Sequence, residues 1–177
     1  MPPDLNEHDQ LVAILRESGV RYLVPTDARA DVSQPLNTLD LLKRLAESDD
    51  PRLRHSLIGL FILHPDWADL AKHLAASLQG ATRIELLAHY MAAVYLQRLW
   101  RTRLGFYVEV QLLPDLFSDQ LGLPSPEIRS GKTGLHALAK WHADQLGTIY
   151  NYLSAYKKTM DLLFEQLKQE ARSHEPA

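Results

Sequence analysis

Arg83 and His89 stand six positions apart in a segment that is otherwise almost wholly apolar. Between them they offer what phosphodiester cleavage asks for: a cation to carry phosphate charge and an imidazole to move a proton. Arg129 and His136 repeat the pairing with one more residue between them. Two further pairs, Asp69 with His73 and Glu85 with His89, fall one helical turn apart, so each presents two metal-capable groups on one face. Two groups are half a ligand set, and the sequence assigns neither a metal site nor a cofactor.

A second constellation joins cations to aromatic faces. Arg98, Trp100, Arg101 and Arg103, with Tyr95 and Tyr107 close by, are the residue types that hold single-stranded nucleic acid or phosphorylated ligands. The same cluster has a structural reading, because arginines in the last turns of a helix complement its dipole and Trp100 can seal a core edge. His142 with Trp141 beside it reads either as a pH-sensitive position or as a core histidine that fixes register. Gly131-Lys132-Thr133-Gly134 matches the end of a phosphate loop, yet that motif requires glycine where Pro126 stands, so it is not met.

The Arg83/His89 spacing resembles the catalytic motif of the HEPN family of helical ribonucleases. That resemblance implies a dimer cleft in which the histidine does acid/base work and the arginine stabilises phosphate. Ile84 and Ser130 occupy the position after each arginine, where the family commonly carries Asn, Asp or His. With eight histidines in 177 residues, chance alone also supplies such pairs.

These residues must be positioned by helices. Leu135, Ala139, His142, Leu146, Ile149, Leu153, Tyr156, Met160, Leu163 and Leu167 alternate strictly by three and four, a heptad seam broken in character only by His142. One helix over the whole run would be roughly 58 Å long at about 1.5 Å per residue. Such a helix would overhang a compact body about 40 Å across. Either it projects and pairs with a partner, or it breaks near Gly147, with Thr148 capping the next helix. The interaction seam proper is Leu146, Ile149, Leu153, Tyr156, Met160, Leu163 and Leu167, which packs inside a bundle or against a second chain.

Upstream, Asn6 caps a helix that Gly19 stops, and Asn37 or Thr38 caps another through Leu45. Asp50 with Pro51 at the first helical position opens a third through Leu63, and a fourth begins near Pro65. Residues 38–78 resemble one HEAT-type helical unit, without a second at a fixed period. Thr82 and Glu85 form a capping box for a central helix to about Leu104, apolar nearly all round and so expected at the middle of the bundle. Gly105 to Leu113 is either extended or more helix, Asp115 to Leu121 is a short helix stopped by Gly122, and the tail SHEPA is frayed. Val20 to Val24, VRYLV, can form one short strand, followed by a loop of Asp, Ala, Arg and Ser up to Pro35.

The helix followed by SGVRYLV resembles the opening of small nucleotidyltransferases associated with toxin–antitoxin pairs. Pro25, Thr26 and Asp27 replace the small residues of that family's turn, and no Asp-x-Asp follows. The resemblance therefore implies a degenerate relative or a partner in a bacterial two-protein system rather than an enzyme.

The fold class expected is all-α, a single helical domain over 1–177 that divides into 1–80 and 81–172. The chain is 46% hydrophobic and 23% charged, enough to bury a core. The absence of cysteine excludes disulfides, thiolate metal sites and cysteine nucleophiles. A net charge of −3 argues against broad capture of nucleic acid, and no apolar run or basic leader points to membrane or export, so the cytoplasm is expected. The function expected is a non-catalytic interaction or regulatory protein, acting as a homo-oligomer or with a protein partner. The alternative is a HEPN-like ribonuclease or nucleic-acid-binding module.

Overall fold

The computed structural model describes residues 6–26 and 35–174. The first five residues, most of the loop after VRYLV and residues 175–177 of the tail lie outside the described residues. Among those described, the chain forms α-helices and no strand, an all-α fold. The helices are α1 (Glu7–Glu17), α2 (Thr38–Glu47), α3 (Pro51–Leu63), α4 (Ala68–Ser77), α5 (Gly80–Leu99), α6 (Arg101–Leu104), α7 (Ser118–Leu121), α8 (Lys132–Leu146) and α9 (Tyr152–Ser173). One 3-10 turn, Pro65–Trp67, links α3 to α4, and another, Ile128–Gly131, leads into α8.

Local chemistry sets most of these boundaries. The Asn6 side chain accepts the His8 N–H, the Asn37 side chain that of Asp40, and the Asp50 side chain that of Arg52. Pro51 sits at the first position of α3, where its missing N–H costs nothing. The heptad run breaks at Gly147, which adopts the left-handed conformation at φ 64°. The Thr148 N–H then closes on the Ala143 carbonyl at 3.0 Å, the Schellman arrangement that ends a helix. Asn151, and not Thr148, caps α9 by accepting the Ser154 N–H at 3.0 Å.

α5 is the axis of the bundle. Every residue from Glu85 to Gln97 is buried, and the helix packs against α2, α3, α4 and α8. α9 lies across α3 and α8 and turns Tyr156, Met160, Leu163, Phe164 and Leu167 inward. Burying side chains of this size contributes about 2 kcal/mol each, and one contiguous apolar cluster takes residues from α1 to α9.

Two local expectations are corrected. Val20–Val24 forms no strand, because the Val20 N–H closes on the Leu15 carbonyl at the end of α1 and other backbone groups of the segment pair with side chains instead of a ladder. Gln166 Oε1 accepts the Arg21 N–H at 2.7 Å, and the Arg16 guanidinium donates to the carbonyls of Arg21 and Leu23, each at 3.0 Å. The Thr82–Glu85 capping box does not form either. α5 begins two residues earlier, with Gln79 at the cap position and no side-chain bond, because the Glu85 carboxylate is engaged inside the bundle.

Candidate functional site

Four helices deliver polar side chains to one buried place. α3 brings Arg54 and His55, α5 brings Glu85 and His89, α8 brings His142, and α9 brings Tyr152 and Tyr156. His89 and His142 have no exposed surface, and Glu85 retains only 6%. Groups this deep must find partners among themselves.

The partners fix the direction of each hydrogen bond. The Glu85 backbone carbonyl lies 2.6 Å from His89 Nδ1, so that nitrogen carries the proton. His89 Nε2 is then an acceptor, and it takes the Nδ1 proton of His55 at 2.9 Å. On the other side, His142 Nε2 donates to Glu85 Oε2 at 3.1 Å, and His142 Nδ1 accepts the Tyr156 hydroxyl at 2.6 Å. The His142 ring stacks on Tyr152 with centroids 3.6 Å apart. Arg54 approaches Glu85 Oε1 at 3.6 Å and donates to the Ser48 carbonyl at 2.7 Å.

Burial and neighbouring cations tune these groups. Desolvation first, and the Arg54 charge second, push His55 down to about 4. Burial, then His55 and His142, hold His89 well below the ordinary imidazole range. Burial, then the Glu85 charge, raises Tyr156 well above the ordinary phenol range, so its hydroxyl keeps its proton. The result is a network whose donors converge on Glu85 from two sides, Tyr156 through His142 onto the carboxylate and His55 through His89 onto the backbone carbonyl, with the Nε2 lone pair of His55 left over.

Arg54, half-buried, and His55, 9% exposed, stand at the edge of the cluster nearest the surface. His55 lines a cavity of about 180 Å³ between α3, α9 and the 22–23 segment, together with Tyr22, Leu23, Arg52, Tyr150, Lys158 and Leu162. Tyr150 is 49% exposed and Leu162 39%, and Ile149 beside them is fully exposed.

The other sequence-derived residues fall elsewhere. Arg83 does not join His89: its Nε donates to the Ala75 carbonyl at the end of α4, at 3.1 Å. Arg129 and His136 are both exposed, as are Asp69 and His73. No group of three or more histidines and carboxylates among the described residues is arranged to hold a metal. Arg98 is drawn inward, donating to the Leu113 carbonyl at 2.7 Å and pairing with Glu127 at 3.1 Å. Arg103 lies 3.9 Å over the Phe164 ring, and Trp100 meets the same ring edge-on at 5.9 Å. Arg101 is exposed. Of the seam, Tyr156, Met160, Leu163 and Leu167 are buried in the chain's own core, Leu146 and Leu153 are half-buried, and Ile149 is exposed.

Gly131 and Gly134 serve packing. A Cβ on Gly131 would stand 2.4 Å from the Tyr95 carbonyl oxygen, and one on Gly134 would stand 2.1 Å from the Tyr95 ring. These glycines let α8 close onto α5.

Sequence reasoning missed the convergence of His55, Glu85, His142 and Tyr156. The available signal was that His142 alone breaks the apolar seam and that Glu85 and His89 interrupt an apolar helix, and polar interruptions of buried faces have to meet something. Comparison with protein-family models, with characterised proteins and with solved structures finds no match to this chain.

Proposed function

We propose that the chain works by binding: a non-catalytic helical interaction or regulatory protein that docks a second protein at the corner between α8 and α9. The observation that carries this reading is the exposure of Ile149, Tyr150 and Leu162 at one corner, while most of the heptad seam is taken up by the protein's own core. Exposed apolar side chains gathered in one place are the usual mark of a contact surface. Lys157 and Lys158 are exposed next to them on α9, as are Asp161 and Glu165 beside Leu162, so the complementary partner surface is apolar with a rim that carries charge of both signs. His89 supports binding over cleavage, because a wholly buried imidazole hydrogen-bonded on both nitrogens has no face for a substrate.

The test is native mass spectrometry on tagged protein recovered gently from its own cells, beside the I149D/L162D variant. The reading requires a stoichiometric protein partner that the variant loses while its circular dichroism and melting temperature stay those of the parent. A bare monomer, or a partner retained by the variant, overturns it. RNA cleavage by the parent that Arg83→Ala abolishes would put the HEPN-like ribonuclease in its place.

A further inference from the structure

Beyond the C-terminal end of α5 the chain makes a tight tip, the one-turn helix α6 followed by a turn over Gly105–Tyr107. Its backbone is well tied. The Phe106 N–H donates to the Arg103 carbonyl at 3.2 Å, and the Leu104 carbonyl accepts the Tyr107 and Val108 N–H groups at 2.9 and 3.0 Å. Leu104 has no exposed surface and Tyr107 leans on the Phe164 ring at 6.5 Å, so both flanks of the turn are anchored in the core. Phe106 between them is 80% exposed. An isolated exposed phenylalanine would be ordinary, but this one shares nine residues of chain with Trp100, itself 37% exposed, and with two arginines.

The charge of the tip is unspent. Arg101 and Arg103 are exposed, and neither has a carboxylate partner among the described residues, whereas Arg98 one turn earlier is paired with Glu127 at 3.1 Å. Arg103 lies 3.9 Å over the Phe164 ring and 5.9 Å over that of Trp100, which holds its guanidinium beside the tip without neutralising it. From Trp100 to Pro114 the one carboxylate is Glu109, also exposed. The whole chain carries −3, but screening over about 8–10 Å at ordinary salt leaves the tip's own charge to decide what it meets.

We propose that this tip rests on an anionic lipid surface, with the Phe106 ring entering the boundary between headgroups and acyl chains and Arg101 and Arg103 held at the lipid phosphates. An apolar wedge with cations at headgroup level is the arrangement that interfacial binding uses. It needs no membrane-spanning helix, and the described residues contain none. Single-stranded nucleic acid also suits arginines beside aromatics, but it asks for free ring faces on which bases stack. Trp100 is committed to Phe164 and Arg103, and one phenylalanine on a turn fits insertion better than a row of bases. The tip stands apart from the docking of a protein at the α8–α9 corner, and its test uses the isolated chain.

The experiment is co-sedimentation of the full chain with vesicles of phosphatidylcholine alone and of phosphatidylcholine mixed with phosphatidylglycerol, at low and high salt, with poly-uridylate as a parallel ligand. The expected result is binding to the anionic vesicles at low salt that weakens at high salt and is slight on phosphatidylcholine alone. Phe106→Ser and Arg101→Glu, both at exposed positions, each lower the partition coefficient about tenfold while the melting temperature stays that of the parent. Glu109→Gln raises it about threefold. Absence of binding to the anionic vesicles overturns the proposal, as does binding that Phe106→Ser leaves unchanged. Capture of poly-uridylate in place of the vesicles overturns it in favour of nucleic acid.

Discussion

His142 Nε2 donates to Glu85 Oε2 at 3.1 Å, joining α8 to α5 across 57 positions of sequence in a place where His142 has no exposed surface and Glu85 almost none. A carboxylate in such a site is tolerated only while its partner is present. Replacing His142 by Phe leaves Glu85 and the Tyr156 hydroxyl each short of a bond, and is expected to cost about 3 kcal/mol. Removing both ends in the Glu85→Leu, His142→Phe double variant costs less than the two single changes added together, with a coupling of about 1–3 kcal/mol. Urea unfolding of the four proteins measures this, and simple additivity would mean the pair is not a unit.

The depressed histidines make stability depend on pH. His55 protonates near pH 6.5 in the unfolded chain and resists until about 4 in the folded one, so the unfolded state binds the proton first. Stability is therefore full above about pH 6.5 and falls as pH drops towards 4, by about 3 kcal/mol from His55 alone. His89 acts in the same direction. The charges that face His55 are Arg54 and His142, which oppose protonation, and Glu85 and Asp50, which favour it. The Asp50 carboxyl is held low, its burial outweighed by hydrogen bonds from the Arg52 N–H and His8, so its own loss falls at more acid pH. Urea midpoints measured from pH 7.5 to 4.5 should decline, and His55→Gln should flatten the profile while keeping a donor for His89.

Two glycines of α8 should respond to alanine for different reasons. Gly134 lies against the Tyr95 ring, and a methyl placed 2.1 Å from that ring forces α8 off α5, at an expected cost of about 3 kcal/mol. Gly147 has open space around it and only its left-handed backbone to protect, so alanine there costs about 1 kcal/mol. Equal effects in thermal unfolding would contradict the close approach at Tyr95.

What could be read from the sequence was what short-range chemistry decides. Asn6, Asn37 and Asp50-Pro51 announce helix starts because the capping bond spans two or three residues, and Gly147 announces a stop because only its own backbone is involved. Long-range competition was not legible. Glu85 satisfies a local capping rule on paper, but His142 and Arg54 offer it charge-assisted contacts inside the bundle. Four segments had to be brought together before His55, His89 and His142 became one cluster. The arginines after Val94 showed the same ambiguity, since either a ligand or the carbonyls of Val94 and Leu113 can occupy Arg98, and only the fold assigns it to the carbonyls.

VRYLV shows how a strong strand pattern is overridden, and Gln166 is the residue that does it. Its side-chain oxygen accepts the Arg21 N–H and its nitrogen donates to the Gly19 carbonyl, both at 2.7 Å, so one amide replaces the pairing that a neighbouring strand would give. Gln166→Leu preserves the apolar contact of α9 but strands both backbone groups, at a cost of about 1–2 kcal/mol softened by the nearness of solvent. Hydrogen exchange at Arg21 should then quicken about tenfold, while the amides at the centre of α5 follow only the change in global stability. Gln166→Glu separates the two bonds, because it can still accept from Arg21 and can no longer donate to Gly19, and its effect should fall between parent and Leu. If Arg21 exchanges no faster in the Leu variant, the segment is held by Val20 in the core and by Arg16, and the amide of Gln166 is incidental.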